Sequence, residues 1–216
     1  MPDKICPVCS NAAPFRLKKQ TTEYFECTSC KLLFSTPIEQ DGMVGGEHEV
    51  GRNELQNHER IARIEEMIQG SKKEDVFILD YGCGHGYLVN DLFVANFKNV
   101  VGYDMFNPEF SQFPPTNKFH IVTMVEVCEH ISAPFIEFDF INRCLLPGGV
   151  LMIETSFVDI AKQENIELED FFYIAPQNGH STIHSHHSLD LLMTMKGFVP
   201  VQHFNRHVRL FKKVAK

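Results

Sequence analysis

Nine residues, Ile78-Leu79-Asp80-Tyr81-Gly82-Cys83-Gly84-His85-Gly86, constrain the fold of this chain more than any other stretch. An apolar strand, 76–80, runs into glycines at every second position. A helical pattern follows over 87–97, with Leu88, Leu92 and Phe93 on its inner face. In the dinucleotide fingerprint G-x-G-x-x-G the third glycine would stand where this chain has Tyr87. A pyrophosphate needs close backbone approach at a helix N-terminus. The tighter G-x-G-x-G turn suits a ligand without phosphates. Asp104 ends the next apolar strand, 99–104, where a carboxylate can hold both hydroxyls of a ribose.

Strands and helices alternate from there on. Phe119 to Val125 reads as a strand, and Ser132 with Pro134 opens a helix running to about Leu145. Pro147-Gly148-Gly149 turns into a strand from Val150 to Glu154. A helix from Leu189 to Met195 stops at Gly197, and strands near 198–204 and 207–214 close the chain. Upstream, Leu55, Ile61, Ile64 and Met67/Ile68 recur at helical spacing over 53–69. Such alternation builds a mostly parallel sheet covered on both faces. With 216 residues, 44% hydrophobic and 19 of them Phe, the chain can fill one α/β core and carry a small appendage.

The appendage is written at the start. Cys6-x-x-Cys9 and Cys27-x-x-Cys30, 17 residues apart, have the layout of a structural Zn2+ site with four thiolates and no open position. Phe15-Arg16-Leu17 and Tyr24-Phe25 supply hairpin strands between the knuckles. The expected organisation is a zinc ribbon over 1–36, a glycine-rich linker over 37–52 and an α/β domain over 53–216. The ribbon's role stays open between covering a pocket, meeting a protein partner and pairing two copies into a homodimer. Seven cysteines, four of them in metal spacing, indicate reduced thiols and a cytoplasmic home. No apolar run approaches the ~20 residues of a membrane helix, and Met1-Pro2-Asp3-Lys4 does not open a signal peptide. A net charge of −8 repels phosphate backbones and argues against a long nucleic-acid substrate.

These motifs resemble those of class I S-adenosylmethionine-dependent methyltransferases, from about residue 53 to the end. Ile78–Gly86 is similar to the family's first motif, and Asp104 to its second-strand acid. Val122 to His130, with Glu126-Val127-Cys128-Glu129-His130, is similar to a strand followed by E-x-x-E-H. Leu145 to Leu151 is similar to an L-x-P-G-G-x-L turn. The resemblance implies a Rossmann-like sheet and S-adenosylmethionine as cofactor. Gly82, Gly84 and Gly86 would admit the methionine part, Asp80 would sit near its ammonium, and Asp104 would hold the ribose. Met124 and Val125 would line the pocket beside the methyl group. Only 14 residues separate Asp104 from the strand at Phe119, where the family has a helix and a strand. The sheet is therefore expected to lack one edge strand, leaving adenine to Met105 and Phe106.

Methyl transfer needs an aligned nucleophile and often a base, and histidine is the natural one. The His-rich segment Gly179 to His187 is expected to carry it, His180 first and His184 second. Glu126, His130 and Tyr173 are assigned to the substrate. A His-rich tract can also bind metal, although no carboxylate stands at the usual spacing within it. The segment also resembles the E-H-x-S-Y-F-S stretch of zinc-containing sugar C-methyltransferases, with Gly179 in place of the Glu and Ile183 in place of the Tyr. That loss of acid and phenol favours O-methylation of a small metabolite or sugar-like molecule. An RNA or protein methyltransferase, and a non-catalytic cofactor-binding protein, remain the alternatives.

Overall fold

A computed structural model describes residues 2–36, 38, 50–68, 70–203 and 205–215. Of the expected linker, residues 37 and 39–49 lie outside the described residues. The N-terminal part contains β1 (Lys4–Ile5), β2 (Ala12–Ala13), β3 (Phe15–Lys19), β4 (Thr22–Glu26) and β5 (Leu33–Ser35). Helix α1 (Val50–Met67) leads into β6 (Phe77–Tyr81), α2 (Tyr87–Val94), β7 (Asn99–Tyr103) and β8 (Phe119–Val125). Then come α3 (Pro134–Cys144), β9 (Leu145–Glu154), α4 (Val158–Gln163), β10 (Thr182–Ile183), α5 (His186–Met195), β11 (Phe198–His203) and β12 (Val208–Lys213).

The main sheet has the order β11-β12-β9-β8-β6-β7, with β9, β8, β6 and β7 parallel and the last two strands antiparallel. Strands buried on both faces read as continuous apolar runs. Ile78 and Leu79 of β6 and Ile121 and Val122 of β8 are all buried. Residues 105–118 cross from β7 to β8 with no strand beyond β7 among the described residues, so β7 is the edge. This crossing is pinned by Phe110, whose carbonyl accepts from Asp104 N at 3.0 Å. A methyl group on Gly86 would meet the Phe110 ring at 2.6 Å.

Several expected boundaries move: α1 starts at Val50 rather than 53, and α5 at His186 rather than Leu189. β9 starts at Leu145, directly out of α3, rather than at Val150. Pro147-Gly148-Gly149 is a bulge inside it, and the pairing with β8 jumps from Phe119↔Leu145 to Ile121↔Val150. Phe93 is not on the inner face of α2: it is 44% exposed, because the helix ends at Val94 and Phe97 fills the core instead.

The ribbon is built into the larger domain. β10 pairs antiparallel with β5, extending the ribbon sheet to the order β10-β5-β4-β3. Leu17, Tyr24 and Leu33 share a buried cluster with Ile160, Phe171, Ile174 and Ile183. Tyr24 Oη donates to the His180 carbonyl at 2.6 Å, and Ser185 Oγ donates to the Cys30 carbonyl at 2.6 Å. The His-rich segment is thereby held against the cysteine knuckles.

Candidate active site

The C-terminal ends of β6, β7 and β8 open onto a cavity of about 760 Å3, within the size range of small-molecule sites. The turn after β6 holds its shape by left-handed glycines: Gly82 has φ 76° and Gly84 φ 55°. A methyl group at Gly82 would lie 2.4 Å from Val127 Cγ2, whereas one at Gly84 would meet nothing within 4 Å. Gly82 is thus glycine for packing, and Gly84 leaves room for a ligand. Both line the cavity; Gly86 does not, because Phe110 covers it.

Asp104 braces this turn. Its Oδ2 accepts from Gly84 N at 2.9 Å, and its Oδ1 from Phe106 N at 2.8 Å and Asn107 N at 3.1 Å. A carboxylate oxygen can accept two hydrogen bonds, so Oδ2 keeps capacity toward the cavity that Asp104 lines. Asn107 adds a second latch, donating to the Gly84 carbonyl at 2.7 Å. Asp80 is buried at the end of β6 and accepts from Thr123 Oγ1 at 2.7 Å. Burial pushes its carboxyl up to about 6 despite that bond and the nearby Arg60. A bound cation facing it would reverse the shift.

The opposite wall is rich in proton-binding groups. Glu126 follows β8 in a left-handed conformation, φ 53°, which is costly for a residue with a side chain. This turns the chain so that Glu126, Glu129 and His130 all line the cavity. Glu129 is completely buried. The Tyr173 hydroxyl lies 3.0 Å from Glu126 Oε2, 2.5 Å from Glu129 Oε1 and 2.9 Å from Thr155 Oγ1. Burial raises both carboxyls well above the ordinary range, and their mutual repulsion adds to the rise at Glu126. His180 is 9% exposed and its Nδ1 is 2.7 Å from the Tyr173 carbonyl. A carbonyl only accepts, so Nδ1 carries the proton and Nε2 keeps a lone pair. Burial lowers the His180 pKa to about 4 and also lowers that of His130, whose ring centroid is 5.0 Å away.

The structure therefore brings together on the cavity wall Asp80, Gly82, Gly84, Asp104, Met105, Val125, Glu126, His130 and His180. Four of the expected residues are elsewhere. Met124 is buried on the other face of β8, as the two-residue strand period requires after Val125. Gly86 packs on Phe110. Tyr173 lies behind Glu126 and Glu129 and lines a smaller cavity of about 280 Å3. His184 is 2% exposed, with Nδ1 at 3.1 Å from Ser188 Oγ at the start of α5. Its neighbours Ser185 and Ser188 form a reciprocal cap there, so the segment around His184 starts a helix rather than facing substrate.

Sequence reading missed Arg60 and Asn107, and it saw Glu129 in the E-x-x-E-H segment without assigning it to the site. Arg60 is 4% exposed and lines the cavity from α1. Its guanidinium bonds Glu154 Oε1 at 2.6 Å and Asn57 Oδ1 at 2.8 Å. The signal was available: Asn57, Arg60, Ile64 and Met67 recur at helical spacing, with the polar pair at the end nearer the site.

Cys6, Cys9, Cys27 and Cys30 place their sulfurs within 4.8 Å of one another, with Cys6 and Cys30 at 3.6 Å and Cys9 and Cys27 at 3.3 Å. Those separations are far beyond a disulfide bond. The amides of Val8 and Cys30 point at Cys6 Sγ and Cys27 Sγ, both at 3.4 Å. The donor set and its arrangement fit a tetrahedral thiolate-bound ion.

A largely parallel sheet with a glycine turn after β6 and a carboxylate just after β7 fits an S-adenosylmethionine-dependent methyltransferase. The chain belongs to a family of proteins sharing a methyltransferase domain, whose pattern matches residues 52–203. It is 30% identical over 119 residues to a tRNA U34 carboxymethyltransferase of Pseudoalteromonas atlantica, covering 45% of this chain and 36% of that protein. The chain thus spans about a third of that relative. It is 22% identical over 173 residues to N-terminal Xaa-Pro-Lys N-methyltransferase 1 of Xenopus tropicalis, covering 66% of this chain and 76% of that protein. Among solved structures, the S-adenosylmethionine-bound amino pentose methyltransferase of Micromonospora echinaspora is similar with a TM-score of 0.56 at 12% identity. That match covers 82% of this chain and 100% of that one. An S-adenosylmethionine-dependent methyltransferase of Methanosarcina mazei is similar with a TM-score of 0.50 at 17% identity, covering 69% and 98%. At these identities the two structures bear on fold alone. Among the described residues, no helix is long and apolar enough to cross a membrane.

Proposed function

We propose that this methyltransferase moves the methyl group to a hydroxyl of a small polar acceptor, a metabolite or sugar-like molecule, seated in the cavity beside the glycine turn. The observation that carries the reading is the His180 arrangement. Its Nδ1–H is committed to the Tyr173 carbonyl at 2.7 Å, and its ring lines the cavity, so the Nε2 lone pair serves as a base. Gly82, Gly84 and Val125 cradle the methionine part, Asp80 faces its ammonium, Asp104 Oδ2 takes a ribose hydroxyl and Met105 packs on adenine. S-adenosylmethionine supplies the leaving-group chemistry. The chain aligns the acceptor oxygen and takes its proton.

A small acceptor is favoured because residues of the segment before β10 wall the site and the net charge is −8. The ribbon holds Zn2+ through Cys6, Cys9, Cys27 and Cys30 and acts as a structural brace for that wall. Replacing His180 by Ala should reduce turnover sharply, read as S-adenosylhomocysteine release, while calorimetric binding of S-adenosylmethionine persists. Unchanged turnover removes His180 from the chemistry. A panel of sugars, hydroxylated metabolites, tRNA and N-terminal peptides identifies the acceptor class. Turnover with tRNA or peptide alone overturns the small-molecule reading.

A further inference from the structure

We propose that Glu129, His130 and His180 form a divalent-cation site in the cavity wall, separate from the cysteine cluster, whose ion holds the acceptor's oxygen. Each of the three offers one ligand atom, and these atoms lie within 4.8 Å of one another. They come from two distant segments, the turn after β8 and the segment before β10. The backbone pairs those segments, with Ser181 N donating to the Glu129 carbonyl at 2.9 Å. All three line the same cavity. Two imidazoles and one carboxylate on one side of an open space leave coordination positions for an oxygen ligand, unlike a closed thiolate quartet.

The supporting bonds are those a ligand set needs. A metal-binding histidine commonly donates its other N–H to a carbonyl, which fixes ring and tautomer. His180 does this through Nδ1 to the Tyr173 carbonyl at 2.7 Å. Glu129 is oriented by the Tyr173 hydroxyl at 2.5 Å and by Thr155 Oγ1 at 3.2 Å. His130 Nε2 is 3.9 Å from Glu129 Oε1, and its ring stands at 83° to that of His180. Imidazole ligands suit first-row ions such as Mn2+, Fe2+ or Zn2+, and two of them disfavour Ca2+.

The inference rests on the reading that the acceptor sits in this cavity, and it changes His180 from base to ligand. The acceptor hydroxyl binds the ion through oxygen, which lowers its pKa. Its proton passes to solvent through the open cavity. The oxygen's electron pair attacks the methyl carbon, the carbon–sulfur bond breaks, and the products are the methyl ether and S-adenosylhomocysteine. No oxidant or reductant is required.

The test uses the full zinc-loaded chain and Mn2+ as the probe, because Mn2+ is a poor ion for thiolates. Electron paramagnetic resonance should show one retained Mn2+ per chain. Glu129→Gln and His130→Asn should abolish retention while zinc content, melting temperature and S-adenosylmethionine affinity stay near wild type. Tyr173→Phe should weaken it roughly 10–100-fold. Turnover of cation-depleted protein should fall at least tenfold and return with Mn2+. A wild type that retains no Mn2+, or variants that retain it unchanged, overturns the site. If no Mn2+ binds yet His180→Ala still abolishes turnover, the base reading stands alone. If Mn2+ binds through these residues and turnover ignores it, the cation site stands and the acceptor's placement falls.

Discussion

Tyr24→Phe removes one oxygen atom from the ribbon and nothing else. Tyr24 is fully buried and its hydroxyl donates to the His180 carbonyl at 2.6 Å. Burial pushes its pKa up to about 12, so the hydroxyl stays a donor across the working range. Phenylalanine keeps the ring's packing against Leu17, Leu33, Ile160 and Phe171. The loss is therefore the bond itself, plus a buried carbonyl left without that donor, worth about 1–3 kcal/mol. For a chain of this size each kcal/mol moves the melting temperature by about 2–4 °C. Thermal unfolding of the variant should fall by several degrees. Turnover should fall with it at temperatures where the protein is folded, because the backbone of His180 loses its anchor. S-adenosylmethionine affinity should be unchanged, since the glycine turn lies across the cavity. A variant that melts and turns over like wild type would refute the claim that the ribbon positions this wall.

Gly82→Ala should destabilise by several kcal/mol, because φ is 76° and the new methyl group would lie 2.4 Å from Val127 Cγ2. Gly84→Ala, with open space around its new methyl group, should cost only about 1 kcal/mol of backbone strain, while weakening cofactor binding; paired melting curves and titrations separate the two. Asp80 is buried with its pKa raised to about 6, against roughly 3.9 unfolded. The folded state therefore holds the proton more tightly, and this group's penalty of roughly 3 kcal/mol is full above the folded value and relieved as pH falls from about 6 toward 4. Asp80→Asn should flatten that part of the stability–pH curve and raise stability near pH 7, while lowering cofactor affinity. Chelating the Zn2+ proposed for the cysteine cluster, or replacing Cys27 by Ser, should release the β5–β10 pairing. Metal analysis, hydrogen exchange across 179–185 and turnover should then change together.

Much of the fold was legible because its signals are local. The glycine turn, the Asp104 strand end and the short 105–118 crossing each declare themselves within a few residues, and the absence of a strand beyond β7 among the described residues follows from how short and proline-rich that crossing is. What stayed hidden depends on long-range contact. Two-residue β10 has no periodicity to read, yet it joins the ribbon to the cavity wall. Glu129 and His180 are 51 positions apart and meet where the Ser181 amide reaches the Glu129 carbonyl and Thr182 Oγ1 reaches the Ile131 carbonyl. His184 stood second to His180 as a candidate base. The Ser185–Ser188 cap decides between them by turning the chain into α5. Met124 and Val125 were both expected at the cavity, but the faces of a strand alternate, so only Val125 reaches it. Arg60 was overlooked because an inward charge on an amphipathic helix reads as surface until its partner, Glu154, comes from another strand.

The most direct measurement is calorimetric titration of the full chain with S-adenosylmethionine, repeated on Asp104→Ala. The expected result is saturable one-to-one binding by the wild type and a loss of at least tenfold in affinity in the variant. Absence of binding by the wild-type chain, or equal affinity in both, would contradict the placement of the cofactor between the glycine turn and Asp104.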